Sequence, residues 1–469
     1  VADDRPDLSG RVRVHVIGAG GSGMSAIARV LLAMGHEVTG TDAGDSPALR
    51  HLAELGARVQ AGHDPDVAVA ADVVVRSTAV PDDDPEVRAV RAAGGRVWRR
   101  AEVLAAICRL RRTVAVSGTH GKTTTSSMLA VVMQQLGWHP SMIVGGDIAG
   151  IGPGARWDTA GEWLVVEADE SDGTFVELAA EAAIVTSVEP DHLEFYGGWA
   201  GLVAAFERFV AEPPGPVVLC ADEPAARALA ESRTGRPTLT YGLAPDADLV
   251  VSEVELHRGG ARFDLRHRAG RPDESGQVAL AVPGLHNVRN AAAVVATVTA
   301  LGADWSAALA ALAAFRGVAR RFEGRGETAG VSFVDGYDHL PTEVAAAVDT
   351  ARTGGWSRVV AVFQPHRFSR TEALWRDFAD VFTGADVVVI TGIYSAGEPP
   401  RAGVTGELIF DAVRIAHPEL EVHYAADLDQ ATGLVSGLLR PGDLCLTLGA
   451  GDITTLPARI QAALAEVEP

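Results

Sequence analysis

Two stretches of β-branched residues each run into a glycine-rich turn and then into an Ala-rich, helix-favouring segment, and this pattern restricts the fold more than any other feature. The first is Val12-Arg-Val-His-Val-Ile17, followed by Gly18-Ala-Gly20-Gly21-Ser-Gly23. The second is Thr113-Val-Ala-Val116, followed by Ser117-Gly118-Thr119-His120-Gly121-Lys122-Thr123-Thr124. Glycines at such a turn remove the side chains that would block a strand-to-helix reversal, and the helix N-terminus behind them favours an anion. Apolar runs go on alternating with Ala/Leu stretches to the end of the chain. That argues for parallel sheets with crossover helices, an α/β protein. With 469 residues the chain exceeds what one hydrophobic core supports, so several domains are expected.

Three sets of elements divide the sequence. Residues 1–112 carry strand-like runs at 12–17, 37–42, 72–76 and 96–98, with a helix from the turn to about Met34, and predict a Rossmann-like N-terminal domain. Residues 113–316 predict a phosphate-loop-type central domain with apolar strands near 163–168, 182–188 and 216–221. Its runs at 248–255, 261–267 and 277–282 alternate polar with apolar residues, the mark of a small antiparallel patch. Helices follow at about 288–301 and 305–314. Residues 317–469 predict a second Rossmann-like domain, with strands at 359–363, 386–390, 421–424 and 444–448.

Composition narrows the class of partner. A net charge of −21 opposes nucleic acid and anionic lipid, which require clustered cations. No apolar run reaches bilayer-spanning length, so membrane insertion is not expected. The start, Val1-Ala-Asp-Asp-Arg-Pro6, has neither a basic nor an apolar export region, and the chain is read as cytoplasmic, a monomer or homodimer. Cys108, Cys220 and Cys445 lie far apart without a C-x-x-C, so neither a disulfide framework nor a zinc site is expected; they read as buried small hydrophobes. The basic residues are nearly all arginine. Lys122 is the only lysine, which asks for a role that arginine cannot fill.

The two turns differ in what they specify. Gly18, Gly20, Gly21 and Gly23, with Asp42 ending the next strand, fit a dinucleotide fingerprint, but the diphosphate of a UDP-sugar satisfies the same geometry, and Asp42 also fits a solvated strand end. The second turn is one glycine short of the full phosphate-loop pattern, with Val116 at the first glycine position. Its parts still have their uses: backbone N–H groups of Gly118, Thr119 and Gly121 for phosphates, a compact charge on Lys122, the Thr123 hydroxyl for Mg²⁺, and Thr124 beside it on the nucleotide. Glu167, Asp169, Glu170 and Asp172 end one apolar strand and Glu189-Pro-Asp191-His192 follows the next. Both are expected at the sheet edge that carries the phosphate loop, where oxygen ligands and an imidazole suit Mg²⁺ or Mn²⁺. A solvated acidic loop is the plainer reading of Asp169, Glu170 and Asp172.

Taken together, these stretches resemble the Mur ligases. The segments 118–125, 167–173, 189–194, 283–291 (Pro-Gly-Leu-His-Asn-Val-Arg-Asn-Ala), 317–323 (Gly-Val-Ala-Arg-Arg-Phe-Glu), 363–371 (Phe-Gln-Pro-His-Arg-Phe-Ser-Arg-Thr) and 449–454 (Gly-Ala-Gly-Asp-Ile-Thr) occur in family order. The resemblance is strongest to the branch that joins L-alanine to the lactyl carboxylate of UDP-N-acetylmuramate, using ATP and an acyl phosphate, in peptidoglycan precursor synthesis. The lack of any lysine in 193–215 agrees with that branch, because later members carry a carbamoylated lysine there. The resemblance implies that Lys122, His192, Glu167 and His120 are catalytic, with Thr123, Glu167 and His192 serving the metals. ATP would also meet His286, Asn287, Asn290 and Arg321. Ser77 and Thr78 would join the first glycine turn on the UDP-sugar, and Tyr337, His366, Arg367 and Arg370 would receive the amino acid.

One stretch departs from the family. Its Asp-Asp-Tyr-Gly/Ala-His-His-Pro is here Asp335-Gly336-Tyr337-Asp338-His339-Leu340-Pro341, so the acid before the tyrosine is missing and another stands two residues later. The expectation is that Asp338 supplies the missing carboxylate. The alternatives are a Mur-like ligase for a different acid or amine, a catalytically impaired nucleotide-binding homologue and, from the first turn alone, an NAD-dependent oxidoreductase.

Overall fold

The computed structural model describes residues 6–233, 235–268 and 274–467. Most of the N-terminal stretch read above for an export signal lies outside them. The chain packs as two compact units. The first holds the described residues up to Ser252 with Asp264–Val278 and Arg289–Phe315; the second holds Glu253–Phe263, Ala279–Val288 and the described residues from Arg316.

The first unit opens with a five-stranded parallel sheet: β1 Arg13–Ile17, β2 Glu37–Asp42, β3 Arg58–Ala61, β4 Val73–Arg76 and β5 Val97–Arg99, in the order β3-β2-β1-β4-β5. The order reverses beside β1, which opens a crevice at the carboxyl ends of β1 and β4. β3 has no apolar run to announce it: Arg58, Gln60 and Ala61 are exposed, as suits an edge strand.

A larger sheet follows. Its strands are β6 Arg112–Ser117, β7 Ser141–Ile143, β8 Ala155–Arg156, β9 Trp163–Glu167, β10 Ala182–Val185, β11 Val217–Cys220, β12 Thr238–Gly242, β13 Leu249–His257, β14 Gly260–His267 and β15 Ser275–Leu280. The order is β15-β14-β13-β12-β11-β10-β6-β9-β7-β8. From β12 to β7 neighbours are parallel, and β6 to β11 are buried on both faces, as continuous Val/Ala/Ile runs demand. Only Arg258 and Gly259 join β13 to β14, a link short enough to permit only an antiparallel hairpin, so the expected patch is present.

In the second unit, β16 Glu323–Thr328, β17 Val331–Gly336, β18 Val359–Phe363, β19 Val387–Thr391, β20 Glu421–Ala425 and β21 Leu444–Leu448 form a sheet ordered β16-β17-β21-β18-β19-β20. Only the β16–β17 pair in it is antiparallel. Alternate residues feed two cores: Ala361, Phe363, Val388 and Ile390 pack with the helices Pro341–Arg352 and Glu407–Ala416, while Val360, Val362, Val387 and Val389 pack with Leu428–Leu438 and Leu456–Val467. The three cysteines are buried and unbonded, and burial pushes their thiols up to about 12, 11 and 12 for Cys108, Cys220 and Cys445. Among the described residues no helix is long and apolar enough to cross a membrane.

Candidate functional site

β6 ends at Ser117 and the helix Lys122–Gln135 starts after four intervening residues, so the phosphate-type turn occupies the carboxyl edge of the first unit's large sheet. Gly121, just before the helix, has φ +78°, a left-handed conformation natural to glycine; a β-carbon there would also approach Asn290 Oδ1 at 3.0 Å. Asn290 therefore lies against the turn. The turn is fastened to the end of β10: Thr119 N donates to Ser187 O (3.0 Å), His120 N to Ser187 Oγ (2.9 Å), and Glu189 N to Thr119 Oγ1 (2.8 Å).

The charged groups gather around this turn. Lys122 Nζ donates to Gly118 O (2.7 Å) and pairs with Glu170 (2.9 Å to Oε1, 2.7 Å to Oε2). Burial opposes the lysine's charge, but Glu170, Asp169 and Glu167 outweigh it and hold its pKa above the ordinary range. For Glu170, burial outweighs its one cation and pushes the carboxyl up to about 7. Glu170 is thus an enclosed partner of the lysine and no solvated loop acid. Thr123 Oγ1 donates to Glu167 Oε1 (3.0 Å), and Gly145 N to Glu167 Oε2 (2.6 Å). His120 Nε2 lies 3.1 Å from Glu189, and His192, at φ +53°, has its Nε2 3.4 Å from Asp191. Thr123 and Glu167 are brought together, with hard oxygens suited to a divalent cation beside phosphates. Among the described residues, the one set of three His, Asp or Glu ligand atoms already converged is His63, Asp84 and Glu86, away from this turn.

Two cavities adjoin these groups. One, of about 450 Å³, is lined by Gly20, Gly23, Arg29 and Arg100 from the first sheet's domain and by Gly145, Glu167 and Asp169 from the second's. Arg29 and Arg100 give it cations. Gly23 leaves room for Arg100, whose Nη1 would stand 2.5 Å from a β-carbon there. The other cavity, of about 510 Å³, lies at the β1–β4 crevice and is lined by Gly18, Gly21, Asp42, His63 and Ser77; Thr78 is exposed. Asp42 accepts a hydrogen bond from Gly20 N (2.8 Å), so its carboxylate shapes the glycine turn.

His286, Asn287, Arg321, Tyr337, His366, Arg367 and Arg370 belong to the second unit. Buried Asn287 donates to Pro283 O (2.7 Å), and His286 packs beside Gly284. Arg320 and Arg321 approach the Tyr337 ring at 4.8 and 5.1 Å, and Arg320 also pairs with fully buried Asp335 (3.4 Å), which accepts from Thr447 and Thr454. His366 stacks on Tyr394 (5.7 Å), and its Nδ1 lies 3.0 Å from Arg370 Nη1. Arginine only donates, so this nitrogen accepts and the ring is neutral. Burial, reinforced by His339, Arg370 and Arg367, lowers the His366 pKa to about 3. Arg367 is exposed. Tyr394 went unnoticed in the sequence, though its place just past the carboxyl end of β19 marks the edge where open α/β sheets bind ligands. A β-carbon at Gly336 would overlap the Asp338 carboxylate, so the two positions share one space.

Comparison with known proteins covers the same ground. Family models match in chain order: "Mur ligase family, catalytic domain" over residues 13–112, "Mur ligase middle domain" over 116–298, and "Mur ligase, glutamate ligase domain" over 320–451. The chain is 47% identical over 463 residues to UDP-N-acetylmuramate–L-alanine ligase of Kineococcus radiotolerans, covering 97% of this chain and 96% of that one. It is 45% identical to the enzyme of the same name from Thermobifida fusca, with 96% of each covered. The crystal structure of UDP-N-acetylmuramate-alanine ligase from Thermotoga maritima superposes with a TM-score of 0.81 at 28% identity, covering 98% of this chain and all of that one. Three family models in order, and relatives this similar over nearly the whole length, join the lysine-bearing turn in one conclusion: the chain belongs to the Mur ligase family.

Proposed function

We propose that this chain joins L-alanine to the lactyl carboxylate of UDP-N-acetylmuramate with ATP, releasing ADP and phosphate. One observation carries the reading most directly. The chain's only lysine sits at a helix N-terminus beside Glu167 and Thr123, and Glu167 also lines a cavity shared with the N-terminal glycine turn. The order of the sites supports it: UDP-sugar on Gly18–Gly23, Asp42, Ser77 and Thr78, ATP on Gly118–Thr124 and Asn290, with His286, Asn287 and Arg321 completing it, and the amino acid on Tyr337, His366, Arg367 and Arg370. Three domains, 1–112, 113–316 and 317–469, would carry these roles, in the cytoplasm where nucleotide sugars and ATP are made.

A carboxylate is a poor electrophile, so amide formation needs one of its oxygens turned into a leaving group. The γ-phosphoryl passes to that oxygen as its bond to ADP breaks. The neutral amine of alanine then attacks the acyl carbon, and phosphate departs from the tetrahedral intermediate with loss of the amine proton. Lys122 and the turn's N–H groups meet the charge on the phosphoryl oxygens. Arg29 and Arg100 in the adjoining cavity offer charge to an anionic substrate. Thr123 and Glu167 fit a magnesium ion, with His192 for a second; magnesium supplies charge neutralisation of the phosphates.

The test is a coupled assay of ADP release across amino acids. Release dependent on both UDP-N-acetylmuramate and L-alanine is expected. Dependence on another amine or acid would point to a ligase of altered substrate, and release indifferent to the UDP-sugar would refute the reading.

A further inference from the structure

The reaction scheme assigns nothing to Glu170, yet its side chain is only 3% exposed and lies 2.7–2.9 Å from Lys122 Nζ. An ammonium has three N–H donors. Around this one stand Gly118 O (2.7 Å), Thr119 O (3.3 Å) and the Glu170 carboxylate, so every donor already faces a protein acceptor. A phosphate oxygen reaches Nζ only if one acceptor yields. The carbonyls belong to a turn fastened to Ser187, and Gly118 packs so closely on Thr186 and Ser187 that a β-carbon would not fit. The carboxylate instead hangs on rotatable bonds and repels a phosphate. Its backbone is fixed by the Tyr196 hydroxyl, which donates to Glu170 O, so it leaves by side-chain rotation without the strand end moving.

We propose that Glu170 is a positioning residue that holds Lys122 in the nucleotide-free protein from the place of a phosphate, and that an incoming phosphate displaces its carboxylate. The inference rests on the reading of Lys122 as the phosphate-binding lysine. Its consequence is that part of the nucleotide's binding energy goes into breaking an internal ion pair, so the site binds ATP more weakly than an unoccupied lysine would. A neutral amide at 170 keeps the size and an acceptor but removes the competing charge.

Binding of ADP and ATP to the parent, Lys122→Ala and Glu170→Gln proteins, together with steady-state kinetics, tests this. Glu170→Gln should bind nucleotide about fivefold or more tightly, with the KM for ATP falling in step and kcat near the parent's, a shift of roughly 0.7 of a decade or more in affinity. Unchanged or weaker binding overturns the inference, while the reading of Lys122 stands provided Lys122→Ala has lost binding. Lys122→Ala that binds like the parent overturns the reading itself. A second measurement does not depend on the variant folding. Because Lys122 is the only lysine, ¹⁵N-lysine labelling yields a single side-chain ammonium signal. A buried, paired ammonium exchanges slowly, so the signal should be visible near pH 7 in the nucleotide-free parent and move on addition of ADP. Its absence from the free parent overturns the pairing.

Discussion

Lys122 and Glu170 set the terms at the residue scale, because neither charge has much access to water. Removing one partner of a buried pair strands the other, commonly at about 3–5 kcal/mol. Lys122→Ala is therefore expected to lose both ligation, by on the order of 10² or more in kcat, and stability. Glu170 takes up a proton when left alone, which limits the loss, and Lys122→Ala/Glu170→Gln should recover much of it in urea unfolding. Turnover within about threefold of the parent would sink the assignment of Lys122. Gly336 and Asp338 give a second residue-scale outcome, since a side chain at 336 would take the space of the Asp338 carboxylate. Burial and nearby Glu343 raise the Asp338 pKa against the pull of Arg321, so a second acid there is poorly tolerated. Gly336→Asp alone should destabilise the protein. Asp338→Ala should raise the KM for ATP, and Gly336→Asp on that background should partly restore it, a coupling found only between residues sharing a place. Unchanged kinetics in Asp338→Ala would end the compensation idea.

At the scale of single elements, the phosphate turn depends on backbone that other residues adopt at a cost. Gly121→Ala forces a β-carbon into a left-handed conformation and against Asn290, and should cost about 1–2 kcal/mol while weakening nucleotide binding. Equal denaturation midpoints for parent and variant would show the turn to be more compliant than its geometry implies. The segment 366–370, between β18 and the second unit's core helices, predicts a pH effect. His366 has its pKa lowered from 6.5 to about 3, so between these values the unfolded chain binds a proton that the folded one does not. Its neutral burial is thus costless above pH 6.5, and stability falls as the pH drops through that window, by about 1 kcal/mol at pH 5 once solvent screening of this half-buried ring is allowed for. His366→Asn should show a smaller loss between pH 7 and 5. An identical loss would place the titration elsewhere.

On the scale of the whole molecule, the groups assigned to UDP-sugar, ATP and amino acid come from both compact units. An acyl phosphate must also be shielded from water until the amine arrives. Solution scattering should therefore give a smaller radius of gyration with an ATP analogue and UDP-N-acetylmuramate together than without ligands. A profile unchanged at saturation would count against such closure.

Much was legible in the chain itself because local chemistry fixes it. The continuous apolar runs of β6, β9, β10, β18, β19 and β21 announce doubly covered parallel strands, and glycine turns at 18–23 and 117–124 mark the two helix starts. The sole lysine, read against an arginine-rich background, drew attention to the turn at 117–124. β3, β7, β8, β12, β16 and β17 were missed: most are short, at a sheet edge or weakly apolar, so no local run announces them and only the ladder they join defines them. For the same reason, only the tertiary structure showed that Glu170 is a buried counter-ion, that Arg29 and Arg100 line the cavity with Glu167, that Tyr394 carries the His366 ring, and that Asp338 fills the space over Gly336. Residue type and spacing tell what a side chain is able to do. Burial and the distance to a partner far along the chain decide which charge is paired and which is left for a ligand, and those exist only once the sheets have formed.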